Sequence, residues 1–153
     1  MAEAPRDRPY AQFNFQVDIG SGFNGPDAGF QELSGIGVEV AVAEYRNGND
    51  LENHVRKVTG LYKSQDLTLK RGIIGTTTLY EWVDNIRTGR SDLRKVTVKL
   101  LSEDHSQVVM TWTLNNARII KYTCGPLNAK GTDVALEEMV LAFERMDLTR
   151  GEG

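Results

Sequence analysis

The residues able to do chemistry are few and widely spaced. His54 and His105 are the only imidazoles in the chain, and a catalytic or metal centre built on either needs partners that its sequence neighbours do not supply. Ser102, Asp104 and His105 are the residue types of a nucleophilic triad, but they fall within a predicted turn over residues 102–107, where adjacent side chains splay instead of forming a relay. Glu137 and Glu138 are adjacent, so a strand points them to opposite faces and only other chain segments can complete an acid/base pair. Gly20, Gly22 and Gly25 match G-x-G-x-x-G after a predicted strand. Pro26, Asp27 and Gly29 then follow with no helical period, so the amides that meet a pyrophosphate are missing and the segment reads as a flexible turn. Cys124 is the single cysteine, which excludes an intrachain disulfide and a multi-cysteine zinc site and reads as an inert thiol. No P-loop or nucleophile elbow is present. The residues therefore predict no catalytic centre, no cofactor and no metal.

The charge balance narrows the partners. Eighteen Lys+Arg against twenty-one Asp+Glu give a net charge of -3, without the basic field of a nucleic-acid binder. The pairs Arg56-Lys57, Lys70-Arg71 and Arg94-Lys95 have acidic residues close by and no interleaved aromatics, so they read as solvated or intersubunit ion-pairing groups. Residues 1–10 alternate charge and proline with no apolar stretch, which argues against a secretory signal. No window approaches the roughly 20 apolar residues that span a bilayer. The 153 residues suit one domain over 1–153, with a flexible N-terminus at 1–9.

The elements that must position these residues are mostly strands. Phe13, Phe15, Val17 and Ile19 alternate with Asn14, Gln16 and Asp18 as a half-buried strand does. Residues 30–45 read as one long strand kinked or bulged at Gly35 and Gly37, with Val38, Val40 and Val42 on one side and Glu39, Ala41 and Ala43 on the other. Residues 46–61 are polar and read as a long irregular loop, a candidate contact arm. Leu67 and Leu69 alternate with Thr68 and Lys70 in a short strand. One helix is predicted over 78–88 from Leu79, Trp82, Val83 and Ile86 at i, i+3, i+4 and i+7. Thr78 and Glu81 have capping-box spacing, Gly89 suits the left-handed closing turn, and Trp82 reads as a core anchor. Val96, Val98 and Leu100 and then Met110, Trp112 and Leu114 predict a hairpin, followed by a strand over 117–123 and an extended segment over 134–148. Over 134–146 the run Ala135-Leu136-Glu137-Glu138-Met139 keeps a helix in competition. The fold expected is mainly β, a sandwich or barrel of about seven strands with one α-helix.

A 153-residue globule has a radius of gyration of roughly 15 Å and a diameter near 40 Å. Segments 30–45 and 134–148 would each reach about 50 Å at about 3.3 Å per residue. Strands that overshoot the core leave ladder edges which an assembly can close between subunits. The pattern therefore predicts an oligomer. A monomeric small β-barrel that binds or carries a ligand is the alternative, and it needs an apolar pocket that 8% aromatic content makes scarce.

One order of residues adds a resemblance. Phe15-Gln16-Val17-Asp18-Ile19, Gly29-Phe30-Gln31-Glu32-Leu33-Ser34-Gly35, Glu44-Tyr45-Arg46-Asn47-Gly48, Leu67-Thr68-Leu69-Lys70-Arg71-Gly72, a helix with Trp82, Met110-Thr111-Trp112 and Asn115-Asn116-Ala117 together resemble the inner tube proteins of contractile injection systems, relatives of contractile phage tail tube proteins. The resemblance covers about 10–148, with Thr59-Gly60 where relatives carry Pro-Gly, and Arg118-Ile119 where an aromatic-proline pair is common. It implies homo-hexameric rings stacked into a tube that closes as a multi-subunit β-barrel. The partners implied are a contractile sheath protein, baseplate or tube-initiator and cap proteins, and effector cargo or DNA in the lumen. The subunit itself is not expected to insert in a membrane. Assembly in the cytoplasm follows, as part of a phage tail or a phage-tail-like particle released outside the cell. By the same resemblance the loop at 46–61 is an inter-ring arm, with contacts at Glu44, Tyr45, Arg46, Asn47, Gly48, Asn49, Asp50, Arg56 and Lys57. Small, polar or acidic lumen-facing residues are then expected at Glu39, Ala41, Ala43, Thr68 and Lys70.

Overall fold

A computed structural model describes residues 7–20, 29–75 and 77–151. Gly22, Gly25, Pro26 and Asp27 of the glycine motif lie outside the described residues. The chain is mainly β with one helix, in the order β1 (Phe15–Asp18), β2 (Glu32–Ser34), β3 (Val38–Tyr45), β4 (Arg56–Ser64), β5 (Leu67–Gly72), α1 (Thr78–Arg87), β6 (Arg94–Leu101), β7 (Val108–Cys124), β8 (Leu136–Ala142) and β9 (Arg145–Arg150).

Seven of the strands form one antiparallel sheet along the path β1-β6-β7-β8-β5-β2, with β9 also on β7. The β6–β7 hairpin is where the alternation places it, with Val96 opposite Leu114, Val98 opposite Trp112 and Leu100 opposite Met110. The path ends at β1 and β2 without joining them, so one chain does not close a barrel. The two ends flank an open groove of about 740 Å³ lined by Phe13, Phe15, Leu33, Ile36, Leu100 and Trp112.

Strand β7 corrects the reading of two separate strands. It runs unbroken for 17 residues, pairing with β6 and β9 through its first part and with β8 from Arg118 onward. The corner between the parts is Asn116, at φ 53°. Among non-glycine residues Asn tolerates this left-handed conformation best. Segment 134–148 turns at the same level and is two strands, not one extended strand or a helix. Glu144 sits in the break and ties the corner: its N–H donates to the Asn115 carbonyl at 3.0 Å, and its carboxylate accepts from Asn116 at 2.7 Å and Arg118 at 2.9 Å.

The core lies between the folded-over parts of the sheet and under the helix. Val17, Ile19, Leu67, Leu69, Leu79, Trp82, Val96, Val98, Leu114, Met139 and Leu141 are among its buried residues. Trp82 anchors the helix as expected, and its indole N–H donates to the Asp92 carbonyl at 2.9 Å. The Arg94 guanidinium lies 4.5 Å from the Trp82 ring and binds both Asp92 carboxylate oxygens, which holds the Asp92 carboxyl below its ordinary range. Leu79 is buried and Val83 half-buried, whereas Ile86 at the end of the stripe is exposed.

The helix start differs from the capping box expected at Thr78. The N-cap is Thr77, with no side-chain bond to the backbone, and its hydroxyl instead meets the Glu81 carboxylate at 3.2 Å. The C-terminus closes as predicted. Gly89 at φ 89° lets its own N–H reach the Ile86 carbonyl and the Arg90 N–H reach that of Asn85, the paired bonds of a Schellman cap.

The basic pair Lys70-Arg71 is also corrected. Lys70 is half-exposed, 3.7 Å from Glu32, but Arg71 is buried, its Nε 2.5 Å from Glu137 Oε1. The Tyr122 hydroxyl donates to the other oxygen of Glu137 at 2.5 Å. Burial first, and then this bond, push the Tyr122 hydroxyl up to about 12. Adjacency did prevent Glu137 from acting with Glu138; its partners come from β5 and β7.

Candidate assembly surface

Two strands stand apart from this body. β3 and β4 pair only with each other, and every residue in them is exposed except half-buried Ser64. This corrects the expected irregular loop over 46–61, because Arg56 already belongs to a strand, paired with Tyr45. The irregular part is 46–55. The expected single strand over 30–45 is likewise broken between β2 and β3, where Gly35 is required: its φ is +91°, and a Cβ there would lie 2.3 Å from the Asp66 carbonyl oxygen. Opposite this break β4 and β5 are also interrupted, at Gln65 and Asp66, so the ribbon joins the body through a narrow neck. The Gln65 N–H donates to the Gly37 carbonyl at 3.0 Å, the Ser64 hydroxyl to the Phe143 carbonyl, and the Met146 N–H to the Tyr62 hydroxyl at 3.2 Å.

The two faces of the ribbon differ in chemistry. Val38, Val40 and Val42 share one face with Ser64, Tyr62 and Thr59 as their partners, while Glu39 and Ala43 lie on the other opposite Lys63 and Val58. The register shifts between Val40 and Val42, where Ala41 crowds Gly60: a Cβ on Gly60 would lie 3.1 Å from the Ala41 oxygen. The extra β4 residue of this bulge leaves the alternation of β3 intact, with Ala41 between Glu39 and Ala43 on one face.

The tip is tied to itself. Arg46 donates to the Glu52 carbonyl at 3.2 Å and the Asp50 carbonyl at 3.0 Å; the Asn47 N–H donates to the Asp50 carboxylate at 3.1 Å, and the Tyr45 hydroxyl to the Asn47 side-chain oxygen. Arg56 approaches Asp50 at 4.0 Å, and His54 meets Glu52 at 3.0 Å, both exposed. These bonds hold Leu51 out fully exposed.

All the contact residues expected from the sequence thus lie in this one element: Glu44 and Tyr45 end β3, Arg46, Asn47, Gly48, Asn49 and Asp50 belong to the tip, and Arg56 and Lys57 begin β4. The expected lumen residues fall in two places. Glu39, Ala41 and Ala43 lie on the ribbon, while Thr68 and Lys70 lie on the half-exposed face of β5, beside Val140 and Glu138 of β8 and Ser34 and Glu32 of β2. Sequence reading missed Lys63, which falls between the expected loop at 46–61 and the strand at Leu67, and Leu51, an aliphatic residue in a polar stretch.

The turn at Ser102 forms no catalytic relay. Asp104 accepts from the Ser106 hydroxyl at 2.6 Å and the Ser102 hydroxyl at 2.7 Å, bonds that hold its carboxyl well below the usual carboxylate range. His105, at φ 64°, contributes its backbone N–H to the Ser102 carbonyl.

The family model of the T4-like virus tail tube protein gp19 matches residues 11–147, which take in both the sheet and the exposed ribbon. The chain belongs to the tail tube protein family. Comparison with curated protein sequences returns no match. Among solved structures, a chain of the sheath-tube complex of an extracellular contractile injection system, PVC, in the extended state is 25% identical with a TM-score of 0.80, covering 93% of this tail tube protein and 92% of that chain. A chain of the PVC sheath/tube terminator is 25% identical with a TM-score of 0.82, covering 94% and 98%. Hcp1 from Flavobacterium johnsoniae, 12% identical with a TM-score of 0.54 over 90% and 95%, shares the fold. Among the described residues no helix is long and apolar enough to cross a membrane.

Proposed function

We propose that this tail tube protein is the building block of the inner tube of a contractile, phage-tail-like particle. Copies form hexameric rings, the rings stack within a contractile sheath between baseplate and cap, and sheath contraction drives the stiff tube forward. The 25% identity to the tube-bearing PVC assemblies supports an extracellular injector over other branches of the family. The observation that carries the reading is the β3–β4 ribbon. A two-stranded ribbon is marginal alone in water, and this one leaves Val38, Val40 and Val42 exposed, with only the Gly37–Gln65 neck, Ser64 and the Tyr62 hydroxyl bonded toward the body. Other copies are its cover.

On this reading the residues from Glu44 to Lys57 make the contacts between subunits and rings. Glu39, Ala41, Ala43, Thr68 and Lys70 face a lumen through which effector protein or DNA passes. The open sheet of one chain closes only as a barrel of several chains. The role is mechanical and structural, with no reaction and no cofactor. Negative-stain electron microscopy of the purified protein tests it: hollow six-fold rings or tubes are expected. A monodisperse monomer by light scattering at tens of micromolar, with no rings on the grid, overturns it.

A further inference from the structure

Asn47 is followed by Gly48, and the tip leaves that step chemically open. In an Asn-Gly step the glycine nitrogen can attack the side-chain carbonyl carbon of the asparagine, because no Cβ shields it. Among the described residues the Gly48 N–H meets no acceptor, a Cβ at Gly48 would find nothing within 4 Å, and the Asn47 side-chain nitrogen donates to no group. Both the attacking and the leaving nitrogen are therefore unengaged. The side-chain oxygen is not: it accepts from the Tyr45 hydroxyl. The turn is held around it by the Asp50 N–H on the Asn47 carbonyl and the Asn47 N–H on the Asp50 carboxylate. The other described asparagines differ. Asn14, Asn85, Asn115 and Asn116 donate through their side-chain nitrogens, and Asn49, Asn53 and Asn128 precede residues that carry a Cβ.

We propose that Asn47 is a self-modification site, at which the chain turns its own side-chain amide into a carboxylate with help from the Tyr45 hydroxyl. The Gly48 N–H gives its proton to hydroxide, and its nitrogen bonds to the Asn47 side-chain carbonyl carbon. The charge that builds on the side-chain oxygen is met by the Tyr45 hydroxyl, a donor already aimed at it. The bond to the side-chain nitrogen then breaks, and ammonia leaves with a proton from water. Water opens the cyclic imide that remains. Attack at one of its carbonyls gives aspartate; attack at the other gives isoaspartate, whose main chain runs through the side-chain methylene. The sum is hydrolysis of an amide, water in and ammonia out, with no oxidant and no cofactor. Either product sets a new negative charge beside Asp50, whose carboxylate already accepts from the Asn47 N–H, and like charges there repel. The consequence rests on the tube reading above, in which Asn47 lies among the contacts between copies. The reaction then belongs to free subunits and stops once a neighbour covers the tip. A subunit that waits too long carries a repelling carboxylate or a lengthened main chain at its tip and is left out of the tube.

Free subunits held in mildly alkaline buffer, then digested and analysed by mass spectrometry, test the chemistry. The Asn47 peptide should gain the mass difference between an amide and an acid and split into two chromatographic forms, aspartate and isoaspartate. Tyr45→Phe removes the donor and should slow the change about fivefold, the worth of a single hydrogen bond. Gly48→Val places a branched side chain beside the attacking nitrogen, in open space and at a φ outside the left-handed region, and should stop it. Asn24, also followed by glycine, is read in the same digests and should keep its rate in both variants. A wild-type circular dichroism spectrum for each variant separates chemistry from misfolding. An Asn47 peptide that stays unmodified, or whose rate ignores Tyr45→Phe, overturns the proposal. Equal slowing at Asn24 also overturns it, because the effect of Tyr45 would then lie outside the tip. For the consequence, aged subunits are left to assemble and the tubes are pelleted: modified chains should be depleted in the pellet and enriched in the supernatant, and equal proportions overturn the exclusion. If fresh wild-type protein forms no tubes, the tube reading falls and the exclusion with it, while the digests still decide the modification.

Discussion

Two hairpins in this chain have nearly the same backbone and opposite fates. β6 with the first part of β7, and β3 with β4, are both antiparallel ladders of about equal length, the first with two register shifts and the second with one. The first turns Val96, Val98 and Leu114 into the core, and the second leaves Val38, Val40 and Val42 in water. Local hydrogen bonding is thus not what distinguishes an independent element from one waiting for a partner. The difference is whether the apolar face finds its cover in the same chain, since burial of apolar surface is the main favourable term of folding.

The comparison can be broken most decisively by removing the ribbon's outer half. Deletion of residues 47–58 should leave the thermal unfolding of the body unchanged and abolish long tubes in electron micrographs; tubes of normal length would show that the ribbon is dispensable. Next in size is a change inside the body. Glu137→Ala takes from the buried Arg71 guanidinium the carboxylate that neutralises it, and urea titration should show a loss of about 3 kcal/mol. The double change Arg71→Met with Glu137→Leu should recover much of that loss. A matched pair of substitutions then sharpens the contrast between the hairpins. Val98, 2% exposed, should cost about 2 kcal/mol as Val98→Ala, whereas Val42, 54% exposed, should cost within about 0.5 kcal/mol of monomer stability as Val42→Ala. Equal losses would mean that the ribbon is buried in the free subunit. The smallest effect is alkaline. The Tyr122 hydroxyl titrates near 10 when unfolded and about 12 when folded, so its contribution is intact below pH 10 and is lost as pH rises through 12. Tyr122→Phe should remove that part of the alkaline decline in melting temperature.

The same contrast explains what could be read from the sequence. Alternation is legible where one face meets a core, so the β6–β7 hairpin and the Leu67–Leu69 strand lie where the pattern places them. Strand β4 was invisible because both its faces are wet and the bulge at Gly60 interrupts its period, and the residues read as a loop. The break at Gly35 falls at the glycines where the sequence places a kink or bulge, whereas the one at Glu144 was hidden for another reason: alternation continues across a corner, and only the tertiary contacts of Asn116 show where the chain turns. Arg71 carried no mark of burial, because its partner Glu137 lies on a strand distant in sequence. The contact residues expected from the family resemblance, Glu44 to Asp50 with Arg56 and Lys57, lie on one element.

Strand β7 has a mechanical consequence. It is a member of both parts of the folded sheet, and Glu144 fastens the corner where it passes from one to the other. A push delivered to the strands beside β8 reaches those beside β6 through peptide bonds, without relying on side-chain friction between two separate layers. One unbroken backbone thus runs through both parts of the sheet, its bend at Asn116 pinned by Glu144.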